Sequence, residues 1–362
     1  MWKWDFICWL INVLARNPAD RGRRFNRLRE RVAVECDQDR KWWTVFLTYP
    51  KEAVESSRSI SKKDGDGHDK TAIVMQGPVV ERDDMTFETL KLYRKTMPRA
   101  ELILSTWDNV TSESLDRIES IGVHVVTSTP PDVAGPQNLN FQIVSASRGM
   151  SEAKRLGCRY AMKTRVDTRI HACDVDQFCR DLLRQFPLRS GDGQSQRLVT
   201  IDFATRLYIP YHPSDMMMFG AIDDMLRYWS LELCGPEIQF EACEEFEELL
   251  KQPIPEVLLC RRFLESFGMQ LTGQLEQWWS VLAERFIVID RAMINQFWPK
   301  YNYSGDQSSE IKCDRTHMAL CHFAQWMQIY SGSTDSSAVS EDLQSQKMDE
   351  KDAADSVDAA AA

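Results

Sequence analysis

The sequence predicts an α/β protein built on a doubly wound, mostly parallel sheet. Between Thr71 and Asp167, short apolar runs typical of buried strands alternate with helical segments about a dozen residues long. The chain has 362 residues, 43% of them hydrophobic and 27% charged, which is enough for one large soluble domain with attachments. Polar residues follow directly after several of the strands. In a parallel sheet, ligands bind at the carboxyl ends of the strands, so these residues are the first candidates for function.

The elements follow in a regular order. Strands are predicted at 71–77, 101–107, 123–129 and 159–165, with helices between them at 85–97, 111–122 and 139–157. Pro98 ends the first helix, and Gly122 and Gly157 end the next two. Further strands are predicted at 198–204 and 285–290, an apolar segment at 216–220, and helices at 221–233, 256–268 and 273–286.

Composition divides the chain into three regions. The polar, glycine-containing stretch 56–70 indicates a linker, so residues 1–66 are predicted as a helical extension and 67–330 as the main domain. Residues 331–362 contain eight acids and two lysines and few apolar residues, so this tail is predicted to be disordered. The tail supplies -6 of the net charge of -10, which leaves a mildly acidic body and disfavours nucleic-acid binding.

The N-terminal segment has an amphipathic pattern. Apolar side chains between Trp2 and Val13 share one side of a helix, and seven arginines follow between Arg16 and Arg31. Indole rings and clustered arginines favour a membrane surface, so residues 1–31 predict a cytoplasmic protein with peripheral attachment to the membrane. The alternatives are a helix packed on the protein's own core and a cleaved signal peptide. The chain has no apolar run of 18 residues, so no spanning helix is predicted.

The ten cysteines are scattered and form no CxxC pair, which favours reduced thiols in a cytosolic protein. Cys313, His317 and Cys321 recur at intervals of four on a predicted helix, with His322 adjacent. Three such side chains on one helix rarely converge on a zinc ion, so core packing is the favoured interpretation.

The fourth strand ends in an unusual cluster of charge. Lys163, Arg165 and Asp167 alternate where the apolar run stops. A carboxylate beside cations can hold Mg²⁺ or Mn²⁺ while the cations contact a phosphate. In a nucleotide-sugar transferase, such a group neutralises the diphosphate leaving group. The alternative is a surface ion pair of little energetic value.

Other strand ends add candidates for donor binding. Gln76 and Gly77 follow the first strand, where a glycine lets backbone amides approach a ligand. Trp107 ends the second strand, and Asn140 begins the third helix. The chain contains neither GxGxxG nor GxxxxGK[ST] after the first strand, which disfavours dinucleotide enzymes and P-loop kinases.

Two carboxylates are candidates for a general base. Asp215 precedes the apolar segment 216–220 and could take the proton of an acceptor hydroxyl. Glu256 is the reserve candidate, although an acid at a helix start is also explained by the helix dipole. A turn or N-cap aspartate is the corresponding structural alternative for Asp215.

Several separated segments together resemble the WavE-like lipopolysaccharide-synthesis family. They are AIVMQGPV, ELILSTWDN, the K-x-R-x-D stretch, SDMMMFGAIDDMLRYW, PEVLLCRRFL and RFIVIDRAMINQFWPKYNY, and the resemblance extends over about 73–303. It implies a GT-A-like glycosyltransferase fold and a role in surface polysaccharide assembly. It also places Asp167 at the acidic metal or donor motif, with Arg165 and Lys163 beside it. A full Asp-x-Asp is absent, because position 165 is arginine.

The resulting hypothesis is a glycosyltransferase that moves a sugar from a nucleotide-diphosphate donor to a glycan or lipid-linked acceptor, with Mn²⁺ or Mg²⁺ as the expected cofactor. One alternative is a sugar nucleotidyltransferase, which should carry a loop rich in glycine and arginine after the first strand. Here Pro78 and the acidic stretch from Glu81 follow instead. The other alternative is a non-catalytic scaffold associated with the membrane.

Overall fold

The computed structural model describes residues 70–189, 193–241, 248, 250–298 and 319–332. The strands in these ranges are β1 Thr71–Gln76, β2 Glu101–Trp107, β3 His124–Ser128, β4 Tyr160–Arg165, β5 Arg169–Ile170, β6 Leu198–Ile201, β7 Met218–Ala221, β8 Phe286–Ile289 and β9 Gln296–Phe297. The α-helices are α1 Met85–Thr96, α2 Ser112–Glu119, α3 Leu139–Arg155, α4 Val175–Gln185, α5 Ile222–Trp229, α6 Pro255–Glu265, α7 Leu275–Arg285 and α8 Phe323–Gly332.

The main sheet has seven strands in the order β3-β2-β1-β4-β7-β6-β8. All neighbouring strands pair in parallel except β7, which runs antiparallel to both β4 and β6. The N-terminal end of β7 therefore lies at the same edge of the sheet as the carboxyl ends of β4 and β6. The remaining two strands, β5 and β9, form a separate antiparallel pair.

The order of the strands places a switch point between β1 and β4. The chain moves outward from β1 to β3 and then returns to pair β4 with the free side of β1. Because crossovers between parallel strands are right-handed, this reversal puts α3 on the face opposite α1 and α2. The crevice at such a reversal, at the carboxyl ends of the strands, is where doubly wound sheets bind ligands.

The core explains why the first strands are so apolar. Every residue of β1 is buried, and α3 packs across β1, β2 and β3. Gly149 on α3 permits this close approach, because a Cβ atom there would lie 2.3 Å from Cγ1 of Val74. Only glycine fits at that crossing of helix and strand.

The predicted fold class is confirmed, with some differences in the elements. Helix α4 and the β5–β9 pair were not predicted. The helix predicted to include Cys321 begins only at Phe323. Cys321 and His322 therefore lie before α8 and not on it. This helix runs to Gly332, one residue beyond the predicted start of the tail at Ser331.

Three sequence predictions fall outside the described residues: the N-terminal amphipathic helix, the disorder of 333–362, and the positions of Cys313 and His317. The predicted domain boundaries stay predictions. None of the helices in the described part of the chain combines the length and the apolar character that crossing a bilayer requires.

Candidate active site

A cavity of about 320 Å³ opens at the edge of the sheet where β4 and β6 end and β7 begins. We call it the cleft. Its polar lining residues are Gln137, Gln142, Arg165, Arg206, His212, Asp215 and Glu256. Its apolar walls include Phe203, Ile209, Met216, Phe240, Ile254 and Trp298. A mostly apolar cavity of this size with a few convergent charged groups is typical of a small-molecule site.

Arg165 presents its guanidinium to the cleft from the end of β4. Asp167 fixes it from behind, accepting from Nε at 2.8 Å and from Nη2 at 2.9 Å. The indole Nε1 of Trp298 donates to the same carboxylate at 3.0 Å. Burial alone would raise the pKa of Asp167. The positive charge and the hydrogen bonds of Arg165, together with the hydrogen bond from Trp298, lower this pKa instead. Asp167 is therefore an ionised, enclosed partner of Arg165.

This geometry does not fit the predicted metal site. The side chain of Asp167 has no exposed surface, and both of its oxygens accept hydrogen bonds. A Mg²⁺ or Mn²⁺ ion needs open oxygen ligands and keeps several waters of its own. Asp167 consequently offers no position to such an ion, and its role here is to hold Arg165.

Asp215 is held in place by a buried lysine. Nζ of Lys163 donates to the backbone oxygen of Asp215 and to Oε1 of Gln142, the latter at 3.2 Å, and lies 4.4 Å from the centre of the Trp229 ring. Burial lowers the pKa of Lys163 to about 8, although the charge of Asp215 opposes this shift. In Asp215 itself, burial opposes ionisation, but the charges of Lys163 and Arg165 and a hydrogen bond from Gln142 lower the pKa.

The pKa of Glu256 is shifted in the opposite direction from that of Asp215. It lies in the first turn of α6 and keeps 18% of its side chain exposed at the cleft. Burial and the negative charge of Asp215 raise the pKa of Glu256 to about 8. Nε2 of His212 lies 3.9 Å from Glu256 Oε2, but burial lowers the pKa of His212 to about 4, so that ring is neutral. Near neutral pH, Asp215 is charged and Glu256 carries a proton.

The other predicted site residues do not line the cleft. Lys163 is fully buried beneath Asp215. Gln76 accepts a hydrogen bond from the Ser145 hydroxyl, and Trp107 packs edge-on against Phe141 with ring centres 5.5 Å apart.

Gly77 and Asn140 also serve the structure itself. Gly77 adopts φ +121, and a Cβ atom there would lie 3.0 Å from Cγ2 of Val166. Asn140 joins the start of α3 to the loop before it and to a distant loop. It donates to the oxygens of Val133 and Cys234 and accepts from the Cys234 amide. Neither residue lines the cleft, and of the predicted set only Arg165, Asp215 and Glu256 do.

Sequence reasoning missed Gln142, Arg206, His212 and Trp298. The connection between β6 and β7, residues 202–217, contributes Arg206 and His212 to the cleft, and its length was a usable signal, because long ordered loops are usually functional. Two indoles hold this loop rigidly: Trp278 donates to the Arg206 oxygen at 2.9 Å and Trp279 to the Leu207 oxygen at 3.0 Å.

A second cavity, of about 340 Å³, lies beside α2 and the loop after β1. Its lining includes the carboxylates of Glu81, Asp84 and Glu113, which would repel an anionic donor. Arg117 pairs with Asp84 through two hydrogen bonds, at 2.7 and 2.9 Å. The cleft, with Arg165 and Arg206, is therefore the better candidate for a phosphate-containing substrate.

The described residues also contain one group with the chemistry of metal ligands. Asp202, Asp290 and His322 each place a ligand atom within 4.8 Å of the others. Asp202 follows β6 and Asp290 follows β8, whereas His322 precedes α8. None of the three lines the cleft.

Fold and site together define an α/β protein with a charged cleft at the carboxyl edge of a mostly parallel sheet. The profile of the WavE lipopolysaccharide synthesis family matches residues 71–330, more than two thirds of the chain. The chain belongs to this family, as the resemblance implied. No curated protein matches the chain.

Among solved structures, the chain is similar to a cytidylyltransferase from Leptospira borgpetersenii, with 12% identity, a TM-score of 0.32, and 47% of this chain and 67% of that chain covered. It is similar to S. aureus TarS in complex with UDP, with 12% identity, a TM-score of 0.32, and 72% and 69% covered. A third is glucosyl-3-phosphoglycerate synthase from Mycobacterium tuberculosis in complex with Mn²⁺ and UDP, with 10% identity, a TM-score of 0.29, and 62% and 86% covered. These likenesses are too distant to assign a substrate.

Proposed function

We propose that this protein is a GT-A-like glycosyltransferase that moves a sugar from a nucleotide-diphosphate donor to a hydroxyl of a glycan or lipid-linked acceptor in lipopolysaccharide synthesis. The observation that carries the proposal is the pairing of unlike groups in one cleft. The cleft is lined by two arginines and by two carboxylates, Asp215 and Glu256. The pKa of Asp215 is lowered and the pKa of Glu256 is raised. Membership of the WavE family supplies the biosynthetic context.

The arginines bind the diphosphate of the donor. Arg165 is oriented in advance by Asp167 and Trp298, and Arg206 lines the same cleft from the β6–β7 loop. Guanidinium groups match phosphate oxygens in geometry and remain charged at all relevant pH values. They stabilise the negative charge that develops on the leaving diphosphate, and this chemistry requires no metal ligand at Asp167.

Glu256 is the general base, in place of the first-ranked Asp215. A base is most effective when its pKa lies near the working pH, and the raised pKa of Glu256 meets that condition better than the lowered pKa of Asp215. Asp215 has the supporting role, because its fixed negative charge increases the proton affinity of Glu256.

The reaction then balances as a single displacement. The ionised form of Glu256, whose population grows as pH approaches the raised pKa of about 8, takes the proton of the acceptor hydroxyl on a carboxylate oxygen. The hydroxyl oxygen forms a bond to the anomeric carbon of the donor. The bond between that carbon and the diphosphate oxygen breaks, and its electron pair leaves with the nucleoside diphosphate. Attack from the face opposite the leaving group inverts the anomeric centre.

The test is a donor screen that measures hydrolysis of UDP- and GDP-sugars, both diphosphate donors, by the full chain. We expect one donor to be turned over, and we expect Arg165→Gln to abolish this turnover. Arg155→Gln is the matched control, because Arg155 is an exposed arginine on α3 that pairs with Glu152.

Turnover of no donor, or equal turnover by Arg165→Gln, would overturn the assignment. Release of pyrophosphate from a nucleoside triphosphate and a sugar phosphate would assign nucleotidyl transfer instead. That assay belongs in the same screen, because it distinguishes the two enzyme classes.

A further inference from the structure

We propose that Asp202, Asp290 and His322 form a binding site for a divalent transition-metal ion of the Zn²⁺ class, separate from the reaction cleft. The three residues come from three different parts of the chain, and each offers one oxygen or nitrogen ligand. The site differs from the Mn²⁺ or Mg²⁺ position that the sequence indicated at Asp167. It is independent of the proposed transfer reaction.

The sheet brings the two carboxylates together. β6 and β8 pair in parallel up to Ile201 and Ile289, so the residues that follow, Asp202 and Asp290, emerge side by side. The amide of Asp202 also donates to the Ile289 oxygen at 2.8 Å, which continues the pairing by one bond. The spacing of the carboxylates is thus set by the backbone of the sheet.

The imidazole completes a ligand set of suitable dimensions. Nδ1 of His322 lies 2.9 Å from Oδ2 of Asp202 and 3.4 Å from Oδ1 of Asp290. Ligands of a tetrahedral ion at bond lengths of about 2.0–2.1 Å lie roughly 3.3 Å apart. A metal ion could therefore replace the Nδ1 proton with small movements of the side chains.

Backbone groups orient both carboxylates. The Arg291 amide donates to Oδ1 of Asp202 at 2.8 Å, and the Phe323 amide donates to Oδ1 of Asp290 at 2.9 Å. Such contacts to the ligands are typical of metal sites, where they fix ligand orientation. The side chain of Asp202 is only 8% exposed, whereas those of Asp290 and His322 are 33% and 47% exposed. An ion can enter from that open side and keep a water there.

The nitrogen and oxygen atoms that the site offers as ligands favour one class of metal ion. Imidazole nitrogen suits Zn²⁺ and related ions, whereas Mg²⁺ prefers a shell of oxygens and retains its waters. Two carboxylates and one imidazole therefore favour Zn²⁺ over Mg²⁺. A bound ion would link the segment that begins α8 to the ends of β6 and β8, and would stabilise the docking of that segment by mass action.

The test titrates the full chain, freed of any histidine tag, with Zn²⁺ alone by calorimetry, and with Co²⁺ by absorption. We expect one saturable site per chain, a Co²⁺ spectrum without thiolate charge-transfer bands, and a rise in melting temperature of about 5 °C at 100-fold excess over the dissociation constant. Mg²⁺ should bind at least about 100-fold more weakly.

Two variants and one control decide the result. Asp290→Asn and His322→Gln change partly exposed residues, and each should weaken Zn²⁺ binding at least about 100-fold, since even changes outside the ligand set cost 10–100-fold. His124→Gln is the matched control, because His124 is a partly exposed histidine whose ring faces the single carboxylate of Glu101 at 3.3 Å. Its Zn²⁺ affinity should equal that of the unchanged chain. Absence of saturable binding, or unaltered binding by both site variants, would overturn the proposal.

Discussion

Two pairs of ionisable side chains lie at the same edge of the sheet, and they differ in the signs of their charges. Arg165 and Asp167 are opposite charges joined by two hydrogen bonds, and the pKa of Asp167 lies below its usual range. Asp215 and Glu256 are like charges, and the pKa of Glu256 lies far above its usual range. The first pair is closed to solvent on the carboxylate side, whereas Glu256 remains partly exposed at the cleft.

The difference separates positioning from chemistry. A balanced ion pair has little tendency to exchange a proton, so it can hold a guanidinium at a fixed place. Two carboxylates in one site cannot both ionise readily, so one of them retains a proton that it can give up and take back near neutral pH. We therefore assign donor binding to the first pair and proton transfer to the second.

The largest effect is expected from removing the base. Glu256→Gln should lower kcat for sugar transfer by about 10²–10⁴-fold, because an amide cannot accept the acceptor proton. Donor binding, measured by titration with the nucleoside diphosphate, should remain. Glu265→Gln is the control at the other end of the same helix, where a half-exposed glutamate pairs with Arg261. Equal losses in both variants would remove Glu256 from the chemistry.

A smaller loss is expected from releasing Arg165. Asp167→Asn keeps the size of the side chain but removes the charge that orients the guanidinium, so kcat/KM should fall by about 10²-fold. Because Asp167 has no open ligand position, added Mn²⁺ should not restore activity. Restoration of the variant by Mn²⁺, together with loss of activity when the unchanged chain is treated with a chelator, would show that Asp167 is a metal ligand.

The fold was accessible to sequence reasoning because its signals are local. β1, α1, β2, α2 and β3 alternate within a stretch where each element carries its own periodicity and its own stop signal, such as Pro98 or Gly122. The two-residue strands β5 and β9 lack such a signal, since they exist only through pairing between residues far apart in sequence.

The site was accessible only in part. The strand-end rule located the right edge of the sheet, and it therefore found Arg165. It does not tell which side chains turn inward, and so it also selected Lys163 and Gln76, whose hydrogen-bond partners lie 52 and 69 residues away. The meeting of Asp215 with Glu256 depends on β7 running antiparallel and on the placement of α6, and neither can be read from a local pattern.

The carboxylate pair can be tested through pH. With Glu256 as the base, kcat/KM should rise as pH increases through its raised pKa. Asp215→Asn removes the negative charge that raises this pKa, so the rising limb should move to lower pH by about one unit or more. The pH profile of the variant checks this shift. A limb that keeps its position would mean that Asp215 and Glu256 are not coupled.

The smallest expected effect concerns stability. Glu256 has a folded pKa above its usual value of 4.5, so the native state favours the protonated form. The contribution of Glu256 to stability is therefore present below pH 4.5 and is lost as pH rises through about 8. Glu256→Gln cannot ionise, so at pH 9 it should melt a few degrees above the unchanged chain. At pH 5 the two melting temperatures should nearly coincide, and a variant that is less stable at pH 9 would contradict the assignment.

The protonation of Glu256 can be observed directly by difference infrared spectroscopy, comparing the unchanged chain with Glu256→Gln as pH is raised from 5 to 10. We predict a protonated carboxyl band that persists at pH 7 and disappears with a midpoint near the raised pKa of about 8. A Glu256 carboxylate already ionised at pH 6 would contradict the division of roles between the two pairs.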